Sequence, residues 1–315
     1  MIFNRADRIS IIDLFDMNVP CRTGAYVIKE DDLTIVDTSA SPSVPHLLKG
    51  LEDLDISLEQ IKNIVVTHIH LDHAGGAGLL LEKCPNAAII VHEKGAGHLV
   101  NPERLEAGAR QVYGKDFDRL FHPIVPVPQN RIIIKKHNAK LQIGADSTLT
   151  FYDTPGHSRH HFSIYDERSK GVFSGDTAGV NYGYTLGGQS LYLPSTSPNQ
   201  FDPEAMIQSL DLLGSLSLER IYFGHFGISE EPAKVLTDVS KWIKIFMDTA
   251  LEVSRQCEPE SQLPALTSSL KKAVLQSNTL LNENEEFLQL LDLDMRVSAM
   301  GLIDYMTRNR AKKEV

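Results

Sequence analysis

The sequence predicts an α/β protein in which a region of mixed β-sheet with covering helices is followed by a purely helical segment. Over the first two thirds of the 315 residues, short runs rich in β-branched residues alternate with helical patterns and with Gly, Pro and Asp. This alternation is typical of mixed sheets with helices packed on them. After about Gly227, apolar residues recur at helical spacing without an intervening strand pattern. We therefore expect one domain over residues 1–227 and a helical extension over residues 228–315.

Each predicted strand is a short apolar run bounded by turn-forming residues. The strands are expected at Ile9–Leu14, Ala25–Lys29, Leu33–Asp37, Asn63–Thr67, Ala88–Val91, Arg131–Lys135, Thr148–Tyr152, His161–Asp166, Gly171–Ser174 and Arg220–Phe223. Helices are expected at Val44–Leu51, Gly76–Leu81, Pro203–Leu213, Pro232–Ser254, Leu263–Ser277 and Glu285–Arg308. The segment Gly179–Gln200 is rich in Gly, Tyr, Ser and Pro, which predicts a long loop of the kind that often lines a binding site.

The composition limits the class of protein. Apolar residues make up 42% of the chain, which is enough for a large core. The formal net charge is −10 and there is no long basic run, so we expect no nucleic-acid partner. The N-terminus lacks the apolar segment of a signal peptide, and no apolar run approaches the roughly 20 residues that span a bilayer. The three cysteines match no disulfide or metal-binding pattern. These observations favour a cytoplasmic protein without a membrane partner. A homodimer is a base-rate expectation only.

A run of four potential metal ligands follows the strand expected at Asn63–Thr67, and its members are His68, His70, Asp72 and His73. In an extended segment alternate side chains point the same way, so the first three can share a face. The fourth stands where Ala74-Gly75-Gly76 predicts a turn into a helix. Neutral imidazoles and carboxylates are suitable ligands for zinc, iron and manganese. The run therefore predicts a metal site and leaves the identity of the metal open.

Four ligands cannot complete two metal sites, and three further candidates follow predicted strands. His157 comes after Thr154-Pro155-Gly156, Asp176 after Ser174-Gly175, and His225 after Phe223-Gly224. In each case a glycine directly precedes the ligand, which allows a sharp turn that directs the side chain. One such residue alone indicates little, but three in this order after the His/Asp run support a metal centre.

With Asp37 at the end of another predicted strand, these motifs resemble the metallo-β-lactamase superfamily from about Asp37 to His225. The resemblance implies a four-layer αββα sandwich of two mixed sheets with a dinuclear centre at its edge. It implies a ligand assignment in which one ion is bound by His68, His70 and His157, the other by Asp72, His73 and His225, and both by Asp176. Asp37 would orient the ligands without binding metal.

Departures within the superfamily narrow the expected activity. Sequences that resemble true β-lactamases usually lack an aspartate at the position of Asp176, and flavodiiron proteins carry a glutamate at the position of His70. The pattern resembles glyoxalase II-like thioesterases and N-acyl-homoserine-lactone lactonases. It also occurs in tRNA-processing nucleases, which the acidic charge disfavours. The resemblance implies a hydrolase with two divalent ions, most often zinc, with iron or manganese as alternatives. A metal-bridging hydroxide would attack a thioester or lactone of a small metabolite, and Asp72 would be the catalytic residue that takes a proton.

Several residues near these motifs have two interpretations. Tyr182, Tyr184 and Tyr192 follow Asp176 and are candidates for contact with a substrate, but tyrosines also pack loops against a core. His160 and His161 follow His157 and are either additional ligands or structural residues.

Two alternative functions remain open from the sequence. One is a ligand-binding regulatory protein that retains the metal with little turnover, and the other is a di-iron redox protein. The C-terminal helices would cap the site, form an interface or buttress the sandwich. The substrate cannot be inferred from pattern alone, because specificity depends on loops.

Overall fold

The computed structural model describes residues 1–4, 7–278, 281 and 284–313. Its strands are β1 (Ile2–Phe3), β2 (Ile9–Asp13), β3 (Gly24–Ile28), β4 (Leu33–Val36), β5 (Ile61–Val65), β6 (Ala88–His92), β7 (Ile132–Lys135), β8 (Lys140–Gly144), β9 (Ser147–Asp153), β10 (Phe162–Asp166), β11 (Gly171–Gly175), β12 (Val180–Asn181), β13 (Tyr192–Leu193), β14 (Arg220–Phe223) and β15 (Ile228–Ser229). Its α-helices are α1 (Val44–Asp53), α2 (Leu71–Ala74), α3 (Ala77–Lys83), α4 (Ala96–Val100), α5 (Glu103–Tyr113), α6 (Phe117–Phe121), α7 (Pro203–Gly214), α8 (Pro232–Gln256), α9 (Pro259–Ser277) and α10 (Glu285–Lys313).

The chain divides into two compact units, and neither is continuous in sequence. Unit 1 consists of Met1–Asp153, His160–Gly175 and Ser217–Glu231. Unit 2 consists of Thr154–Arg159, Asp176–Leu216 and Pro232–Val315. The division expected from the sequence, at residue 227, stays a prediction.

Unit 1 contains two mixed sheets within the described residues. The first has seven strands in the order β1 to β7, antiparallel from β1 to β4 and parallel from β4 to β7. The second has six strands in the order β15-β14-β11-β10-β9-β8, of which only β11 and β14 are parallel. In the first sheet Val36 pairs with Val65, and Val65 with Ile90. The residues that follow β4, β5 and β6 therefore emerge at the same edge of that sheet.

Apolar side chains of both sheets form the core between them. Ile11, Tyr26 and Val65 of the first sheet belong to one buried cluster with Phe151 and Phe173 of the second. Because side chains alternate across a strand, the neighbours of these residues in the first sheet face the other way.

That outer face of the first sheet forms a second cluster with helices. Ile12 and Ile64 of the sheet pack there with Leu47 of α1 and Leu80 of α3. Unit 1 is thus a two-sheet sandwich with helices on the outside of its first sheet. The predicted α/β fold with two mixed sheets is confirmed.

Unit 2 is mostly helical. Its short antiparallel pair β12–β13 and its helix α7 both pack against α8, and α8, α9 and α10 pack against one another. In α8 the buried residues Val235, Val239, Trp242 and Phe246 recur at intervals of three or four, which is the apolar stripe of an amphipathic helix. The predicted C-terminal helices are confirmed, and among the described residues no helix is both long and apolar enough to cross a membrane.

Some elements were absent from the sequence prediction for physical reasons. The helix α5 has no fully buried residue, and its short apolar stripe of Leu105, Ala109 and Tyr113 is only partly buried, which makes it easy to miss. The strand β8 lies at the edge of its sheet and contains only two apolar residues, Leu141 and Ile143, before Gly144, so its alternating pattern is too short to stand out. The predicted long loop Gly179–Gln200 contains the two-residue strands β12 and β13, which are too short for a periodic signal.

Candidate metal centre

The His/Asp run begins in a bent segment after β5 and then becomes helical. β5 ends at Val65, the chain bends at Thr67 and His68, and His70 has a φ of −61° and a ψ of 148°. The one-turn helix α2 then carries Asp72 and His73. The expectation that His68, His70 and Asp72 alternate along one extended face is therefore wrong for Asp72, because the turn into the helix begins one residue before it.

The helical turn nevertheless brings Asp72 and His73 to His225, the second residue after β14. The ligand atoms of these three residues all lie within 4.8 Å of one another. Asp72 Oδ2 is 3.9 Å from His73 Nε2 and 3.7 Å from His225 Nε2. These distances are too long for hydrogen bonds. They are close to the separation of about 3.3–3.6 Å expected for atoms that each lie about 2.0–2.2 Å from one tetrahedral metal ion.

Asp37 orients the run through two of its neighbours in space. His73 Nδ1 lies 2.9 Å from Asp37 Oδ2, and the Thr67 backbone N–H donates to Asp37 Oδ1 at 2.7 Å. A carboxylate can only accept, so Nδ1 of His73 carries the proton and Nε2 keeps its lone pair. The contact is consistent with the expectation that Asp37 orients ligands without binding metal, and that role stays a prediction.

Thr67 extends the same network to His68. Its hydroxyl lies 2.9 Å from Asp37 Oδ2 and therefore donates its only proton to that carboxylate. The hydroxyl oxygen is then the acceptor for Nδ1 of His68, which is 3.2 Å away. This arrangement leaves Nε2 of His68 with a lone pair, 3.0 Å from Nδ1 of His70. One buried carboxylate thus sets the tautomer of two imidazoles.

Two glycines at strand ends leave space for buried imidazoles. A Cβ atom on Gly224 would lie 2.5 Å from Cε1 of His73. Gly175 has a φ of +49°, and a Cβ atom there would lie 2.4 Å from Nε2 of His161. The glycine that precedes a candidate ligand in the sequence is therefore required by close approach in both cases.

His225 lies in a turn that is tied to the sandwich. The Tyr26 hydroxyl lies 2.7 Å from the carbonyl oxygens of both Phe223 and Gly227, and the Phe223 N–H donates to the Gly227 carbonyl at 3.0 Å. These bonds close the chain on both sides of His225. The imidazole is therefore held on a short, buried turn rather than on a free loop.

Unit 2 contains the other two predicted ligands next to each other. His157 Nε2 lies 3.4 Å from Asp176 Oδ2. The Ser195 carbonyl accepts from Nδ1 of His157 at 2.9 Å, so Nε2 keeps its lone pair, and the Ser195 hydroxyl donates to Asp176 Oδ2 at 2.9 Å. Gly156 has a φ of +133°, and a Cβ there would overlap Met206, which explains the glycine before His157.

The three predicted substrate tyrosines have different surroundings in unit 2. The Tyr182 hydroxyl donates to Asp294 Oδ2 at 2.6 Å. Tyr192 is buried in β13, with Lys234 Nζ 5.4 Å from the ring centre. Tyr184 is 40% exposed. A substrate contact for any of them stays a prediction, and the exposed Tyr184 is the most accessible of the three.

A buried acid adds to the electrostatics of unit 1. Burial raises the pKa of Asp16 to about 6, the ion pair with Arg22 opposes this shift, and the charge of Asp72 adds to it. The neighbouring residues Phe15 and Met17 have φ values of 48° and 55°. Strained backbone of this kind often occurs at functional sites, because the surrounding structure must enforce it.

The donor set suits a divalent metal. Unit 1 contains five of the seven predicted ligands, which are His68, His70, Asp72, His73 and His225, and unit 2 contains the remaining His157 and Asp176. Hydrogen bonds at Nδ1 leave Nε2 as the donor atom of His68, His73 and His157. Such oriented neutral imidazoles with carboxylates are characteristic of zinc, iron and manganese sites.

Sequence reasoning missed two residues that support the ligands. Thr67 stands directly before the run, and a hydroxyl there was a usable signal, because it follows the strand that ends beside Asp37. Ser195 lies in the loop between β13 and α7. Its contact with Asp176 depends on how that loop folds, so no local pattern reveals it.

The chain is similar to known proteins over the region that contains these motifs. The model of the family described as "Metallo-beta-lactamase superfamily" matches residues 19–225. The chain is similar to the metallo-beta-lactamase fold-containing protein ST1585 of Sulfurisphaera tokodaii, with 26% identity over 208 residues, 64% of this chain and 72% of that protein. It is also similar to a hydroxyacylglutathione hydrolase of Synechococcus sp., with 28% identity over 202 residues, 64% of this chain and 62% of that protein.

Among solved structures, the chain is similar to the metallo-beta-lactamase family protein TTHA1429 from Thermus thermophilus. The TM-score is 0.66 at 18% identity, and the alignment covers 96% of this chain and 94% of the other. At this level of identity the likeness supports the fold.

Proposed function

Since the chain belongs to the metallo-β-lactamase superfamily, we propose that it is a hydrolase with a dinuclear metal centre that cleaves a thioester or a lactone of a small metabolite. The observation that carries this proposal is the convergence of Asp72, His73 and His225, with Asp37 holding the proton on the far nitrogen of His73. Lone pairs of Asp72 Oδ2 and of His73 Nε2 face each other at 3.9 Å, and a cation between them would relieve their repulsion. A metal ion is the group that this arrangement accommodates.

The proposed ligand assignment follows the motif order along the chain. Asp72, His73 and His225 would bind one ion, His68, His70 and His157 the other, and Asp176 both. The assignment of His157 and Asp176 to this centre rests on the order of the motifs within residues 19–225, the span that the family model matches. We propose zinc as the native metal because His-rich nitrogen and oxygen donor sets suit it, with iron and manganese as alternatives.

A pair of divalent ions would lower the pKa of bound water towards about 7 and polarise a substrate carbonyl, which supplies a nucleophile at neutral pH. The contribution of the protein is to hold the donor atoms and to move a proton. Asp72 is suited to the second task, because its side chain is 20% exposed whereas that of His73 is 1% exposed. Its Oδ2 faces the two imidazoles, and we propose that Oδ1 takes the proton of the hydroxyl group added to the carbonyl carbon and passes it to the departing thiolate or alkoxide as the C–S or C–O bond breaks.

An ester-like substrate agrees with both the charge and the relatives. A net charge of −10 disfavours polyanionic substrates such as nucleic acids. One similar protein is named as a hydroxyacylglutathione hydrolase, which supports a small acylated metabolite as the substrate class. We propose Tyr184 as the tyrosine that contacts this substrate, because its ring is exposed.

The test is a metal analysis of the purified protein combined with a panel of thioesters, lactones and phosphodiesters. We expect two equivalents of zinc, hydrolysis of a thioester or a lactone, loss of that activity with a chelator and its recovery on adding zinc. Phosphodiesters should be the poorest substrates. The same panel should be repeated with Tyr184→Phe, for which we expect a higher KM with little change in kcat.

Other results would reject the proposal in distinguishable ways. A protein that binds two metal ions and hydrolyses none of the panel would indicate a metal-retaining binding protein. An iron-loaded protein that consumes oxygen would indicate redox chemistry. A protein that binds no divalent metal would remove the basis of the assignment.

A further inference from the structure

Two buried histidines that the ligand assignment does not use lie beside the His/Asp run in unit 1. His160 is 5% exposed and His161 is fully buried. Both directly precede β10, and the Phe162 N–H donates to the Thr67 carbonyl at 3.0 Å. This bond fixes the histidine pair alongside the start of the run.

The rings of these two residues contact the rings of two predicted ligands. The His161 ring centre is 5.0 Å from that of His68, with the planes inclined by 34°. The His160 ring is parallel to His68 within 10° at 6.3 Å, and it stands at 88° to His70 at 5.3 Å. The ring of His73 lies 4.2 Å from that of His68. His68 is therefore enclosed by imidazoles, and His70 has His160 packed against it.

The position of His161 is itself built into the fold. Gly175 lies at the end of β11. A Cβ atom at this position would lie 2.4 Å from Nε2 of His161 and 2.9 Å from Cβ of Thr67, so only glycine fits. The glycine therefore lets the strand approach both the histidine and the threonine that supports His68. Such close packing restricts the rotamer of His161.

We propose that His160 and His161 are positioning residues that hold the His68 and His70 rings in the orientation needed to bind a metal ion. This inference rests on the proposed function. Within the described residues, the groups of converging donor atoms contain neither of the two histidines, and the proposed role rests on the contacts between the rings. Residues that orient ligands typically change metal affinity about 10–100-fold when they are removed.

The experiment uses the full-length protein and two readouts that need no substrate. Zinc affinity is measured by competition with a chelator, and the geometry of the site is read from the visible absorption of the cobalt-substituted protein. We expect His160→Ala and His161→Ala to weaken zinc binding by about 10–100-fold and to change the cobalt spectrum. His98→Ala, a half-buried histidine of α4, is the matched control and should leave both readouts unchanged.

A conservative variant separates positioning from a general loss of structure. His160→Phe keeps a ring against His70, so we expect its zinc affinity to stay close to that of the wild type, well above that of His160→Ala. Thermal unfolding of each metal-free variant checks the fold, and His160→Ala remains informative if the fully buried His161→Ala does not fold.

The outcomes distinguish this inference from the proposed function. Wild-type protein that binds zinc, together with variants of unchanged affinity and spectrum, would overturn the positioning role alone. The positioning role would also be overturned if His160→Phe had the same altered cobalt spectrum as His160→Ala, because a ring at this position would then not be what orients His70. Wild-type protein that binds no metal would overturn both proposals.

Discussion

The two ends of the sandwich in unit 1 both bury charged and polar side chains, but they arrange them in opposite ways. At one end β4, β5 and β14 lead into Asp37, the His/Asp run and His225. At the other end, where β2 begins and β10 ends, Arg8 meets Asp166 and Glu30. The same sheets thus connect a cluster of lone-pair donors to a cluster of ion pairs.

The ion-pair end is closed by opposite charges. The Arg8 guanidinium donates to both oxygens of Asp166, at 2.7 and 3.0 Å, and also contacts Glu30. Arg168 reaches Glu30 at 2.8 Å. Burial alone would raise the pKa of Glu30, but the Arg8 and Arg168 guanidiniums outweigh it and hold that pKa below its ordinary value. Each of these carboxylates has a cation within the protein.

At the ligand end, the donor atoms of His73 and His225 face that of Asp72 at 3.7–3.9 Å. The metal ion of the proposed function would supply attraction between them. The comparison teaches that polar groups are paired by opposite charges at one end and, under the proposed function, are placed to bind an ion at the other. Substitutions at the two ends should therefore affect different measurements.

The largest effect is expected for Asp72→Ala. It removes a proposed ligand and the proposed proton acceptor together, so we expect loss of one metal equivalent and a fall in kcat on the order of 10³-fold, above the effect of about 10–100-fold typical of supporting residues. The melting temperature of the metal-free protein should hardly change. Asp31→Ala, at an exposed position before β4, is the control. If Asp72→Ala kept its full metal content and full turnover, the end of the sandwich that contains Asp72 would not be the site of metal binding and catalysis.

The next largest effect is expected for Arg8→Met at the opposite end. The substitution leaves the buried Asp166 carboxylate without its main partner, and the loss of one member of such a pair costs about 3–5 kcal/mol. Urea unfolding should show this loss. Zinc content and kcat of the folded fraction should equal those of the wild type. A variant as stable as the wild type would mean that the ion pairs do not hold this end together.

A smaller effect is expected for Asp37→Asn. The amide keeps the size of the side chain but loses the charge that holds the proton on Nδ1 of His73, so the imidazole becomes a weaker ligand. We expect zinc affinity to fall about 10–100-fold. Competition with a chelator measures this change, and Asn63→Ala is a control because Asn63 is a buried residue of β5 whose amide donates to Thr34 instead. Unchanged affinity in Asp37→Asn would limit the role of Asp37 to packing.

The ligand end was far easier to predict from the sequence than the ion-pair end. The run from His68 to His73 spans six positions, and His157, Asp176 and His225 each follow a glycine, so local order reveals the chemistry. Arg8 is 22 residues from Glu30 and 158 residues from Asp166, and the three form no motif. Arg8 and Asp166 meet because the start of β2 and the end of β10, which belong to different sheets, lie at the same end of the sandwich.

Two features at the ligand end, the backbone conformation of the His/Asp run and the contact of Ser195, also depend on how the chain folds and were not predicted from the sequence. The run was expected to alternate along an extended segment, but α2 begins at Leu71 and carries Asp72 and His73 on a helical turn. Local spacing therefore identified the residues without determining the backbone that carries them. Ser195 could not be found at all, because its contact with Asp176 depends on a loop of irregular conformation.

The smallest effect is a pH dependence at the ion-pair end, and its sign follows from Glu30. Because the pKa of Glu30 is held below its ordinary 4.5 in the folded protein, the stabilisation is complete above pH 4.5 and is lost as the pH falls through the folded-state value. The difference in unfolding free energy between the wild type and Glu30→Gln should thus be constant near neutral pH and should shrink below pH 4.5. Glu82→Gln, on the exposed face of α3, should show no such trend. A difference that grows on acidification would mean that burial outweighs the arginines, and that this end is not closed by its own charges.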